Sequence, residues 1–207
     1  MRLKAALVAG MLVAGTIQAQ SQDATHLQMI NSARSMYEIG LAHEDGLLIL
    51  AAAKLRKQVQ LKQAERSPNG GSAEEGTPLD WQEMLANAQP LIQGNPILEG
   101  MAEDIEAERF KGVTDGPVYS IARISSGGND VYDNVPFDGG AYAEIYLEGP
   151  RGSDLNLVVR DSAGRLVCSD TDISAIAYCG WKPTASDMYQ ITVESQRGGG
   201  KYSLMTN

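Results

Sequence analysis

Residues 152–170 read GSDLNLVVRDSAGRLVCSD, and this stretch decides the fold of the C-terminal half. A short run rich in Leu and Val covers residues 155–160, and the sequence DSAG at 161–164 follows it. A second run with β-forming residues occupies 165–169. Two such runs joined by a turn that starts with Asp and ends with Gly are typical of a β-hairpin. We therefore predict two antiparallel strands here.

The same pattern extends in both directions from this hairpin. Short segments of β-forming residues alternate with glycine-containing turns, such as those at 127–128, 139–140 and 198–200. Several short strands with frequent turns are typical of an antiparallel β-sandwich. The predicted strands are residues 118–124, 141–147, 155–160, 165–169, 175–181, 188–194 and 201–205.

The C-terminal half also resembles a known domain family. Residues 152–170 look like the Asp-x-Asp-Leu strand and Asp-x-x-Gly turn of the bacterial pre-peptidase C-terminal (PPC) domain. Residues 178–183 and 188–193 are similar to its Cys-x-Trp and Tyr-x-Ile-x-Val segments, so that the resemblance covers about 118–207. It implies a jelly-roll-like, non-catalytic module of secreted enzymes, which in some members binds calcium, attaches to substrate or helps secretion. The sequence departs from the family at Asn156, where a second Asp is common.

Residues 24–110 have the periodicity of helices instead. Apolar residues recur there at three- and four-residue steps, which is the spacing of one helix face. Residues 66–77 interrupt the helices with the Ser- and Gly-rich composition of a flexible linker. We therefore predict an α+β chain of two domains. A helical domain of two helical hairpins precedes an antiparallel β-sandwich over 118–207, with the jelly-roll-like form that the resemblance implies.

Residues 1–19 have the three-part layout of a secretory signal peptide. Arg2 and Lys4 precede an apolar run from residue 5 to residue 17, and the segment ends at Ala19. That run is shorter than the roughly 20 apolar residues that span a bilayer, and no later segment approaches this length. We predict a periplasmic or secreted protein with no transmembrane segment in the mature chain.

Without its first 19 residues, the chain keeps 15 basic and 26 acidic side chains, a net charge of −11. A surface of this sign repels the phosphates of nucleic acids. We therefore exclude nucleic acid as a partner and expect a protein or an envelope polysaccharide.

The sequence contains two cysteines, Cys168 and Cys179. An even number in an exported chain indicates a disulfide. The alternative is a pair of buried free thiols that serve as small hydrophobic side chains. Trp181 follows the second cysteine closely, and we expect it to pack inside the sandwich rather than to form an exposed platform for a sugar.

Acidic residues in the predicted loops are the candidate metal ligands. They are Asp130, Asp133, Asp138, Asp154 and Asp161. Calcium takes six to eight oxygen ligands with flexible geometry, which acidic loops can supply. Aspartate is also common in turns for backbone reasons alone, so that a structural role is the alternative. Apart from calcium, we expect no cofactor.

No catalytic set of residues is recognisable in the sequence. His26 and His43 stand apart from any Ser or Cys motif, and Gly-x-Ser-x-Gly is absent. The acidic residues near Glu103 are typical of a solvated helix face, and we expect the basic residues near Arg56 to form modest surface pairs with them across the two hairpins. We therefore predict an accessory or interaction protein that is not an enzyme. The alternative is a calcium- or carbohydrate-binding module of the cell envelope.

Overall fold

The structure is a computed structural model that describes residues 25–71, 73–109 and 116–207. The predicted signal peptide, residues 1–19, lies outside the described residues. Within the described part, no helix is long and apolar enough to cross a membrane.

The N-terminal half consists of two helix pairs. Its helices are α1 (His26–Ala42), α2 (Gly46–Lys57), α3 (Trp81–Ile92) and α4 (Pro96–Ala107). Each helix begins after a side chain that accepts hydrogen bonds from the free N–H groups of the first turn. These N-caps are Thr25, Asp45, Asp80 and Asn95. The apolar faces of the four helices form one core, which includes Tyr37, Ile49, Leu50, Met84, Ile92 and Ile105.

The remaining elements form two sheets. The strands are β1 (Lys62–Gln63), β2 (Val118–Ile124), β3 (Asn129–Phe137), β4 (Ala143–Glu148), β5 (Asp154–Arg160), β6 (Leu166–Asp170), β7 (Ile176–Trp181), β8 (Asp187–Arg197) and β9 (Gly200–Thr206). Sheet A has the order β1-β2-β9-β4-β7, and sheet B has the order β3-β8-β5-β6. All neighbours are antiparallel except β1 and β2, which are parallel.

The two sheets face each other around an apolar core. Alternate residues of the strands supply it, among them Tyr132, Ile145, Leu147, Leu155, Leu157 and Ile191. The α+β class and the β-sandwich are therefore confirmed. The jelly-roll form and the division into two domains stay predictions.

Strand β3 corrects the sequence-based prediction, which placed a Gly-rich acidic loop in this region. Tyr132 and Val135 of β3 are buried in the core, but the alternation of inward and outward residues breaks between them. Asp133 and Asn134 together lie opposite Gln190 of β8, because the strand carries a β-bulge. The extra residue shifts the hydrophobic pattern by one position, so that period-two analysis does not recognise the strand.

The helices cover the outer face of sheet A. Leu27 and Ile30 of α1 share a buried cluster with Tyr119, Tyr146 and Met205 of the sheet. The described part of the chain is thus arranged in three layers: the helices, sheet A and sheet B.

Residues 66–71 and 73–77, which lie between the two helix pairs in the sequence, contact the sandwich. The Asn69 N–H donates to the Val131 carbonyl over 2.7 Å, and the Glu74 N–H donates to a carbonyl of β2 over 2.9 Å. The Glu74 carboxylate also forms an ion pair with Arg123. These contacts hold described residues of a segment whose composition alone predicts a flexible linker.

Candidate functional site

A groove lies on the outer face of sheet B, where β3 bulges. Met188 and Gln190 point outward into it, whereas the neighbouring residues of β8 are buried in the core. The groove has a volume of about 360 Å³. Its lining includes Asp133, Asn134, Arg160, Asp161, Met188 and Gln190. We refer to it as the sheet B groove.

The bulge gathers polar side chains at one point of this groove. Asp133 and Asn134 share Gln190 as their opposite residue, and Gln190 lies opposite Arg160 in the pairing of β8 with β5. Asn134 has a φ of 58°, in the left-handed region that Asn tolerates better than most residues. Bulges commonly redirect side chains next to functional sites. Here, the bulge places Asp133 beside Gln190 of β8, which lies beside Arg160 of β5. The three polar side chains form a row across three strands.

Asp133 has a fixed position within the row. Its Oδ1 accepts a hydrogen bond from Gln190 Nε2 over 2.8 Å, and its Oδ2 accepts one from Asn69 Nδ2 over 2.5 Å. These two bonds lower the pKa of Asp133. The side chain is therefore ionised at neutral pH and presents negative charge to the groove.

Asp161 organises the turn that borders the groove. Its Oδ1 accepts hydrogen bonds from the backbone N–H groups of Ala163 and Arg165, over 3.0 and 2.9 Å. Its Oδ2 pairs with Arg165 Nε at 2.7 Å. The backbone hydrogen bond from Arg165 is the main cause that lowers the pKa of Asp161.

The sheet B groove therefore offers several kinds of contact. Arg160 is a hydrogen-bond donor, the Gln190 amide has both donors and an acceptor, and the carboxylates of Asp133 and Asp161 are acceptors. Met188, whose exposed fraction is 49%, adds an apolar surface. Such a set suits a ligand whose groups both donate and accept hydrogen bonds.

The structure brings together two of the five candidate calcium ligands. Asp133 and Asp161 both line the sheet B groove. Asp130 instead accepts a hydrogen bond from a tyrosine of β9, Asp138 follows the end of β3, and Asp154 begins β5. Within the described ranges, no three His, Cys, Asp or Glu side chains are placed to hold a metal ion. Calcium binding stays a prediction.

The predicted disulfide is confirmed. Cys168 and Cys179 are bonded, and their Cα atoms are 5.9 Å apart. The bond joins β6 at one edge of sheet B to β7 at one edge of sheet A.

Trp181 packs against the core of the sandwich. Its ring contacts Phe137 and Tyr189, with centroid distances of 4.9 and 5.2 Å. The ring therefore serves packing, in agreement with the expectation from the sequence.

The histidines lie outside the groove. His26 is the first residue of α1, and His43 is the C-cap of the same helix. Neither residue lines the groove.

The sequence analysis did not single out Asn134, Arg160 or Gln190. Each is an ordinary polar residue in or near an apolar strand, and polar outward positions are expected on any half-exposed strand. The pair Asp133-Asn134 between β-forming residues is the one signal of a bulge that could have indicated the groove.

Comparisons with known proteins leave the family open. No family model matches the chain. No curated protein matches it either.

Several solved structures are similar to part of the chain. The pre-peptidase C-terminal domain of a collagenase from Bacillus anthracis is 17% identical, with a TM-score of 0.35 over 43% of this chain and 87% of that chain. The Yersinia pseudotuberculosis-derived mitogen is 13% identical, with a TM-score of 0.35 over 44% and 85% of the two chains. The C-terminal CBM6 of a laminarinase from Zobellia galactanivorans is 14% identical, with a TM-score of 0.30 over 48% and 87%. The PPC resemblance stays a prediction, since these similarities assign the chain to no family.

Proposed function

We propose that the chain is an exported, non-catalytic binding module whose sheet B groove holds a neutral carbohydrate. One observation carries the proposal: the bulge of β3 aligns Asp133, Gln190 and Arg160 in a row across three strands. A sugar hydroxyl can donate to a carboxylate and accept from a guanidinium or an amide. The row offers acceptors at Asp133, both kinds of group at Gln190 and donors at Arg160. It can therefore form hydrogen bonds with successive hydroxyl groups of a polysaccharide.

The charges of the groove favour a neutral ligand. Asp133 and Asp161 both carry negative charge at neutral pH, because hydrogen bonds lower the pKa of each carboxyl. An anionic ligand would meet repulsion from both groups. A purely apolar ligand would cover the carboxylates without giving them a hydrogen bond, which is costly. A sugar avoids both costs, and Met188 can contact the apolar face of its ring.

The lowered pKa values of Asp133 and Asp161 also support a role in binding and not in catalysis. Hydrolysis of a glycosidic bond requires a carboxylic acid that stays protonated near neutral pH, so that its pKa must be raised. The pKa values of Asp133 and Asp161 are both lowered instead. Neither of these two carboxyl groups is therefore suited to protonate a glycosidic oxygen, which supports binding without hydrolysis.

Two features support export. The sequence begins with the layout of a signal peptide. A disulfide joins the two sheets, and such bonds persist in oxidising compartments. Together they favour a periplasmic or secreted location for the carbohydrate-binding module.

The proposal can be tested by affinity electrophoresis of the chain from residue 20 onward. Gels would contain laminarin, xylan or mixed-linkage β-glucan. We expect at least one polysaccharide to retard the protein, and we expect Gln190→Ala and Arg160→Ala each to weaken binding about tenfold, a loss of ~1.4 kcal/mol. Gln196→Ala is the matched control, because Gln196 is another exposed glutamine of β8.

Two results would contradict the proposal: no retardation by any of the three polysaccharides, or retardation that Gln190→Ala and Arg160→Ala leave unchanged. Addition of EDTA tests the alternative function, a module whose binding depends on calcium. We expect EDTA to have no effect on retardation, and a loss would favour a module that needs calcium.

A further inference from the structure

We propose that a second site, between the helices and sheet A, binds a ligand with a carboxylate or phosphate group. A cleft of about 430 Å³ lies there, on the side of the molecule opposite to sheet B. Its lining includes Arg34, Tyr37, Thr77, Arg151, Lys201 and Ser203. We call it the interlayer cleft, and it shares no lining residue with the sheet B groove.

A buried group of charged residues lies at the wall of the cleft. Arg34 Nη1 and Arg56 Nη2 each pair with one oxygen of Glu148, at 2.9 and 3.0 Å. The exposed fractions of the three residues are only 5%, 4% and 5%. Two guanidinium groups thus share one buried carboxylate. Of the two arginines, Arg34 lines the cleft, and its guanidinium group is held in place by this pairing.

Glu38 is a second carboxylate partner of Arg34. Its carboxylate lies 2.6 Å from Arg34 Nη2, but its other oxygen pairs with Arg151 Nε at 3.1 Å. Glu38 therefore forms ion pairs with both Arg34 and Arg151. The oxygen that faces Arg34 is buried, whereas the pair with Arg151 lies at the surface.

Arg34 also has an unused hydrogen-bond donor. Its Nε is buried and has no hydrogen-bond partner, and the side chain lines the interlayer cleft. A buried N–H without an acceptor is unfavourable. The guanidinium fork matches the geometry of carboxylate and phosphate oxygens. An anionic oxygen bound in the cleft beside Arg34 would give this donor an acceptor.

Other groups of the lining can add to such a site. Arg151 and Lys201 are exposed, and their ion pairs with Glu38 and Glu74 are surface pairs of small energy. Both side chains can therefore turn toward a bound anion at little cost. The hydroxyl of Tyr37 accepts a hydrogen bond from an asparagine of α3, which leaves its own hydrogen to donate.

The carboxylates that face the cleft limit the negative charge that a ligand can carry. Both oxygens of Glu148 are already occupied by the two arginines. Glu83, in the first turn of α3, lies at the exposed side of the cleft. A ligand with one compact anionic group near Arg34 fits this distribution better than a polyanion.

The test uses isothermal titration of the chain from residue 20 onward with inorganic phosphate, D-glucuronate and D-glucose. We expect phosphate or glucuronate to bind and uncharged glucose to leave the cleft empty. Glucose binding that Gln190→Ala removes would belong to the sheet B groove. Binding of phosphate alone indicates a phosphate ligand, and binding of glucuronate alone indicates a carboxylate ligand.

Variants at the edge of the cleft test whether the anion binds in the interlayer cleft. The double variant Arg151→Gln/Lys201→Gln changes two exposed residues and should weaken anion binding at least tenfold. The double variant Lys182→Gln/Arg197→Gln removes the same charge from exposed positions elsewhere and should have no effect. The proposal fails if neither anion binds, or if the two double variants weaken binding equally, as a general charge effect would. Either failure leaves the sheet B groove untouched.

Discussion

At the scale of single residues, Glu148 links two helices to the sandwich through buried ion pairs. Its two arginine partners, Arg34 and Arg56, lie 114 and 92 positions away in the sequence. The sequence predicted surface pairs between Arg56 and acidic residues of the other helical hairpin, because charged residues are rarely buried. Only the packing of α1 and α2 on sheet A brings the three charges together. Such a contact has no local signal and could not have been predicted.

Replacement of Glu148 tests this interpretation. Glu148→Gln would leave two buried guanidinium groups without their shared carboxylate. Removal of one partner of a buried ion pair is strongly destabilising, so that we expect the free energy of unfolding to fall by about 3–5 kcal/mol. Urea denaturation followed by circular dichroism measures it. Glu103→Gln, at an exposed position of α4, is the control, and a similar small loss in both variants would contradict the role of Glu148.

At the scale of elements, hydrophobic periodicity predicted the four helices and all strands longer than two residues except β3. The helices were recognisable because their buried residues recur at helical spacing, as Leu27, Ile30 and Ala33 do in α1. β3 was missed because the bulge at Asp133 and Asn134 breaks the alternation. The sheet B groove was missed for the same reason, since that bulge forms it. Two Asp residues of the groove were still singled out, although as metal ligands.

The link between β6 and β7 gives a prediction at this scale. The disulfide of Cys168 and Cys179 closes a loop with a sequence separation of 11. In the chain-entropy model, a loop of this length contributes about 2–3 kcal/mol. We expect the double variant Cys168→Ser/Cys179→Ser to lose this amount, as measured by urea denaturation. Reductant should lower the melting temperature of the parent chain but not that of the variant. A parent chain indifferent to reductant would show that the bond does not stabilise the sandwich.

At the scale of the whole molecule, the helices and the sandwich share buried surface. Tyr119, Tyr146 and Met205 of sheet A are covered by α1, and β1 extends the same sheet. A fragment that starts at residue 116 would expose this apolar face together with Glu148. The sequence suggested two separable domains, because the composition changes near Gly116. The buried cluster between helices and sheet joins residues that are far apart in the sequence, which composition cannot indicate, and the division into two domains stays a prediction.

We therefore expect the chain to unfold in one cooperative transition. Trp81 lies in α3 and Trp181 in the sandwich, so that Trp81→Phe leaves a fluorophore that reports on the sandwich alone. Circular dichroism at 222 nm reports mainly on the helices. The two signals should share one urea midpoint. Separate midpoints would mean that the helices and the sandwich are independent domains.

The strand order also determines when the sandwich can fold. β9 separates β2 from β4 in sheet A, and β8 separates β3 from β5 in sheet B. A growing chain that has not yet reached residue 187 lacks both middle strands, so that β2 cannot join β4 and β3 cannot join β5. Loop closure over such distances along the chain is slow. The sandwich can therefore be completed only after β8 and β9 have been synthesised, so that its first strands wait for partners that come about 60 to 90 residues later in the sequence.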